Sequence, residues 1–249
     1  VGSKGSQRNP PDPTVLKRSK TFEKISALAA LTLAACGGAA DPRFPDRADA
    51  TPVLAIVSSA ATASRLQAGD LTSVRAAIEA DLSADPDRLS GLIDLAVSYA
   101  IDGHPDAARR LLDAAVAEGD AAVQQAALVN LGELYAIEGY PAAATAHFET
   151  ARSIDPTRAG PHYALALFAD GRGDPEGAHE ALREALRLDP DGAVRDALVT
   201  IQPEETLHLA ALLALNAGDR ARAEPLLREL AKARFPSLAA AAERHLAEY

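Results

Sequence analysis

The sequence predicts an all-α solenoid built from paired helices, and three observations carry that prediction. Apolar residues make up 48% of the 249 but aromatic residues only 4%, with neither Trp nor Met, so alanine and leucine supply the core. Those two residues favour closely packed helices over sheets. Glycines stand at matching places in successive segments, at Gly69, Gly103, Gly139, Gly173 and Gly218. Small residues, large apolar residues and prolines recur with them at a period of roughly 34 residues. The net charge of −10 argues against a nucleic-acid partner, which needs a basic stripe. A single cysteine leaves no disulfide framework within the chain and no multi-cysteine metal site.

Residues 1–35 carry an address. They hold six basic residues and two acidic ones, and Lys17-Arg18-Ser19-Lys20 precedes an apolar run from Ile25 to Ala35. That run is about half of the roughly 20 residues a membrane-spanning helix needs. A basic flank, a short apolar stretch and small residues at its end are the layout of a secretory signal. The stretch Leu33-Ala34-Ala35-Cys36-Gly37 resembles the lipobox of bacterial lipoproteins. The resemblance implies cleavage before Cys36, a diacylglyceryl group on its thiol and a fatty acyl chain such as palmitate on its amine. Only a thiolate has the nucleophilicity to take the glyceryl group. Gly37, standing where an inner-membrane lipoprotein carries Asp, implies an outer-membrane lipoprotein facing the periplasm. Residues 1–14 are polar and proline-rich, and translation is expected to start at Val15 from a GTG codon. Residues 36–54 are expected to be the lipidated cysteine and a flexible tether, because 37–52 contain three prolines and two glycines.

Beyond the tether, residues 128–156 read LVNLGELYAIEGYPAAATAHFETARSIDP. Leu131, Gly132, Tyr135, Gly139, Ala144, Phe148, Ala151 and Pro156 fall at the spacing of the tetratricopeptide repeat, which this segment resembles. Related sets follow at Leu165, Ala166, Gly173, Ala178, Leu182, Ala185 and Pro190, and precede at Leu95, Ala96, Tyr99, Gly103, Ala108, Leu112 and Ala115. More degenerate copies contain Gly69, Val74, Ile78 and Pro86, or Ala210, Ala211, Gly218, Ala223 and Leu227. The resemblance implies five helix pairs, framed as 55–88, 89–122, 125–158, 159–192 and 204–237, wound into a right-handed superhelix. Gly132, Ala96, Ala166 and Ala211 let paired helices approach, Phe148, Leu112, Leu182 and Leu227 wedge between them, and Pro86, Pro156 and Pro190 end the second helices. Residues 238–249 are expected to form a capping helix with a polar outer face. Residues 193–203 break the period, and an extra helical turn there would bend the array.

No catalytic constellation emerges. His104, His147, His162, His179, His208 and His245 form no HExxH pattern, and no serine sits in G-x-S-x-G. Gly171-Arg172-Gly173-Asp174-Pro175-Glu176-Gly177 misses the dinucleotide and P-loop spacings, and its Arg-Gly-Asp falls on a turn between helices. The expectation is therefore a binding protein without enzymatic activity, cofactor, metal or small-molecule substrate.

In the tetratricopeptide family the first helices of successive repeats line a concave groove that takes an extended peptide or a partner helix. The resemblance places Ile93, Val97, Val129, Asn130, Glu133, Ile137, Tyr163, Leu167, Asp170, His208 and Leu212 in that groove. These positions hold no Lys or Arg and only one Asn, which disfavours an acidic tail and favours an apolar or basic segment, read mainly by burial. The leading expectation is a lipid-anchored adaptor at the periplasmic side of the outer membrane, in the assembly of an envelope machine such as a type IV pilus secretin. The alternatives are an adaptor that recruits or regulates murein hydrolases or proteases, and a cytoplasmic repeat protein.

Overall fold

The structure, a computed structural model, describes residues 48–248. The signal-like run, the lipobox residues Leu33, Ala34 and Ala35, and Cys36 lie outside the described residues. Within them, eleven helices form a solenoid of five antiparallel pairs and a final single helix. The pairs are α1 (Ala60–Gln67) with α2 (Leu71–Ala84), α3 (Ser90–Ile101) with α4 (Pro105–Glu118), and α5 (Ala121–Ile137) with α6 (Pro141–Ile154). They continue with α7 (Ala159–Gly171) and α8 (Pro175–Leu188), then α9 (Pro203–Asn216) and α10 (Arg220–Leu230), before α11 (Pro236–Ala247). No described helix is long and apolar enough to cross a membrane.

The five recurring glycines all have positive φ, between 68° and 90°, while no described non-glycine residue does. The turn at Gly139 shows why. Its N–H reaches the Ala136 carbonyl at 3.2 Å and the Tyr140 N–H reaches the Tyr135 carbonyl at 2.9 Å, closing the helix end in a left-handed cap. Pro141 then opens α6 from its first turn, where a missing N–H costs nothing, as Pro105 and Pro175 do for α4 and α8.

Between paired helices the packing is as close as the small residues allow. A Cβ added to Gly132 would lie 2.4 Å from the Phe148 ring, so the ring seats directly on the α5 backbone. Phe148 is fully buried and meets Phe168 edge-on at 5.5 Å, which links the third pair to the fourth. Ala96, Ala166, Ala211, Ala108, Ala144 and Ala223 have no exposed surface at all. Pro86, Pro156 and Pro190 stand two residues beyond the ends of α2, α6 and α8.

Two stretches differ from the expectation. The frame that opened the first repeat at residue 55 is corrected, because Ala55–Ile56 form a short strand, β1, and α1 starts only at Ala60. The tether expected as far as residue 54 is corrected likewise from residue 48 onward. Thr51, Pro52, Val53 and Leu54 are buried, and residues 48–58 run as an extended strap along the solenoid. The aperiodic 193–203 stretch contains a 3-10 turn, Arg195–Ala197, and then a strand β2 (Leu198–Val199) antiparallel to β1, with Ala55 opposite Val199 and Ile56 opposite Leu198. The break in the period thus supplies an edge that pairs with the strap.

Candidate functional site

The groove holds polypeptide, and that polypeptide is the chain's own strap. Side chains and carbonyls of α5 and of the turn after it receive it in order. The Ala48 N–H donates to the Gly139 carbonyl at 2.8 Å and the Thr51 N–H to the Ala136 carbonyl at 3.0 Å. The Val53 N–H donates to Glu133 Oε2 at 2.7 Å. Asn130 takes both polar groups of Ile56: its Oδ1 accepts the N–H at 2.7 Å and its Nδ2 donates to the C=O at 2.8 Å. At the far end Asp94, on α3, accepts from the Ser58 N–H at 2.7 Å and from its hydroxyl at 2.5 Å.

Alternation explains how one strand serves two sides. In an antiparallel pair, neighbouring residues turn their backbone groups to opposite edges. Val57 donates to the Ala197 carbonyl at 3.0 Å on the β2 side, so Ile56 turns toward Asn130. A carboxamide with one acceptor and one donor then stands in for a third strand. The strap also lies flush on α7. An added Cβ would meet Ile56 Cδ1 at 2.6 Å from Gly160, and Thr51 Cγ2 at 2.4 Å from Gly171. From the other side α11 covers it, with the Ser237 hydroxyl donating to the Ala50 carbonyl at 2.6 Å.

Two clusters of buried ionisable groups frame this strand. Glu133 and Glu205, from α5 and α9, are both fully buried. Glu205 accepts the Ile201 and Gln202 amides at 2.8 and 2.9 Å, which caps the start of α9. Glu133 Oε1 has no hydrogen-bond partner among the described residues. Burial raises both groups well above the ordinary carboxyl range, and the charge of Glu133 adds to the effect on Glu205. Burial also raises Asp94, against the hydrogen bonds from Ser58.

Asp170 behaves oppositely. Burial works to raise it, but His208 Nε2 at 2.7 Å and His245 Nε2 at 2.8 Å outweigh that and hold its carboxyl well below the usual range. The Arg244 guanidinium reaches the Asp170 backbone carbonyl. One carboxylate therefore joins α7, α9 and the capping helix.

Of the groove residues expected from sequence, Asn130 and Glu133 bind the strap, while Asp170 and His208 meet each other. Ile93 and Val129 line a cavity beside the strap. Val97, Leu167 and Leu212 are buried in the packed core and Ile137 is half-buried. Tyr163 points its hydroxyl at Asp189, 3.2 Å away. Burial first, and then the Asp189 charge, push that hydroxyl up to about 12. Asp189 in turn receives the Val194 and Arg195 amides and so shapes the aperiodic stretch. Asp94, Glu205 and the strap itself were missed. Asp94 was detectable as the one charged residue in the SGLIDLAVSYAI helix. The strap was detectable as Val53-Leu54-Ala55-Ile56-Val57, an unbroken apolar run after proline that suits a buried strand. Among the described residues, no group of His, Cys, Asp and Glu could hold a metal ion.

No protein-family model matches the chain, and no curated protein does. A solved structure titled "Crystal structure of MamA" is similar over 76% of this chain and 97% of its own, at 21% identity and a TM-score of 0.39. The helix pairs and their glycine caps define the fold here, independently of that likeness.

Proposed function

We propose that the chain is a non-enzymatic adaptor of the cell envelope, anchored by acyl chains on Cys36 at the periplasmic side of the outer membrane, where it holds a protein partner. The observation that carries the scaffold part of this reading is the recognition of extended backbone by Asp94, Asn130 and Glu133. A groove floor of buried hydrogen-bonding side chains is built to hold peptide rather than to transform a substrate. Its resident is the strap, and that occupant is integral. Val53, Leu54 and Val57 are each at most 4% exposed, and burying one such side chain is worth about 1.5–3 kcal/mol. The partner therefore engages surface that the strap leaves open, and the strap serves to fix the lipid tether to the solenoid.

That fixation gives the adaptor an orientation. The chain enters the groove at Ala48, beside the α5–α6 turn at Gly139. Residues 37–47 span at most about 40 Å when extended, which keeps this turn within that distance of the acyl anchor in this reading. Crosslinking of a C-terminally tagged chain in intact cells, followed by mass spectrometry, tests the reading with Cys36→Ala as control. Envelope-assembly subunits captured only when Cys36 is present are the expected result. Murein hydrolases or proteases captured in the same way would replace the assembly role with a regulatory one. Identical cytosolic partners with and without Cys36 would overturn the anchored reading.

A further inference from the structure

Where the strap leaves the groove floor, a cavity of about 560 Å3 opens beside Ile56–Ser59. It lies within the size range of small-molecule sites, roughly 300–1,000 Å3. Its walls are Ile56 and Val57 of the strap, Ile93 of α3, Val129 of α5 and Leu188 and Val194 near the aperiodic stretch. Its charge is unlike that of the rest of the molecule. Acids outnumber bases 35 to 25 in the chain, yet no Asp or Glu lines the cavity and two arginines, Arg88 and Arg158, do. Both arginines are exposed; Arg158 pairs with half-buried Asp155 at 3.3 Å, and Arg88 makes no ion pair among the described residues although its charge acts on buried Asp94. Helices α3 and α7 also begin at this cavity, and no side chain caps either start. The partial positive charge of both helix ends adds to the arginines there.

We propose that this cavity is a binding site for a small amphipathic carboxylate. The apolar body packs against Ile93, Val129, Val194 and the strap, and the single anionic head faces Arg88 and Arg158. Such a ligand departs from the sequence-based expectation of no small molecule. It is independent of the adaptor reading, because neither Cys36 nor a protein partner is needed for it.

The test uses the full chain carrying Cys36→Ala, titrated with decanoate, decanol and decyltrimethylammonium and followed by amide chemical shifts. Saturable one-to-one binding of decanoate is expected, with shifts centred on Ile93, Val129 and Val194. Arg88→Gln with Arg158→Gln is expected to weaken decanoate roughly tenfold or more and leave decanol unchanged, since a charge-assisted hydrogen bond is lost. Ala126→Phe, which fills the cavity from α5, is expected to abolish binding of both while the remaining amide spectrum stays folded. Decanoate that fails to saturate, binds no better than the cationic analogue, or shifts amides elsewhere would overturn the proposal.

Discussion

Asn130 and Ile56, 74 residues apart in sequence, satisfy each other in full: the carboxamide takes the N–H at 2.7 Å and returns a donor to the C=O at 2.8 Å. That contact fastens the strap to the middle of α5. Asn130→Ala removes both bonds and strands two buried backbone groups. A loss of about 2 kcal/mol in unfolding free energy is expected, measured by urea denaturation. Asn130→Ala that melts with the parent would show the contact to be incidental.

Glu133 should make the protein favour mild acid. A carboxyl that stays protonated when folded and ionises when unfolded contributes stability that is fully present below its ordinary value of 4.5. That contribution is lost as the pH rises through about 8, the value to which burial raises Glu133. Glu133→Gln keeps an acceptor for the Val53 amide and removes the ionisation. Melting temperature scanned across this window should therefore fall less steeply in Glu133→Gln than in the parent.

Asp170 has the opposite sign. Its carboxyl is depressed by two histidines, so its stabilisation is present above the ordinary value of 3.8 and disappears as the pH falls below it. Asp170→Asn is expected to cost roughly 3 kcal/mol near neutral pH, because it removes a buried carboxylate from its hydrogen-bonding partners. Hydrogen exchange should rise first in α11, which that cluster holds in place through His245 and Arg244. Uniform loss of protection in every helix would instead mean that the cluster does not hold the cap in particular.

Gly139 adopts a φ of 82°, which resists a β-branched side chain. Gly139→Val should destabilise the central pair by about 1–2 kcal/mol, read as a lower denaturation midpoint. The same turn receives the Ala48 amide, so the Ala48–Asp49 end of the strap should loosen with it.

These residues also show what sequence could and could not reveal. Gly139, Gly132 and Phe148 were legible because local geometry dictates them: a left-handed cap needs glycine, and a ring seated on a backbone needs the missing Cβ. Asn130, Glu133 and Asp170 were singled out through the resemblance to the tetratricopeptide frame, and the structure shows the first two binding the strap and the third meeting His208 and His245. Period could not reveal what fills the groove. The partners Ile56 of Asn130 and Val53 of Glu133 lie in a stretch with no repeat signal. Its apolar run was divided between the tether and the first repeat because five residues cannot distinguish a buried strand from the start of a helix. Glu205 was hidden similarly, since it reads as an ordinary first-turn acid and its burial depends on a carboxyl 72 residues away.

The central claim is that the strap is a resident of the groove and part of the folded solenoid. Amide hydrogen exchange of the full chain, resolved residue by residue, tests it most directly. The Val53, Ile56 and Val57 amides donate to Glu133, Asn130 and Ala197, so they are predicted to exchange as slowly as those in the middle of α5. Exchange at the rate of an unstructured peptide, with α5 still protected, would contradict the account and leave the groove open to a partner.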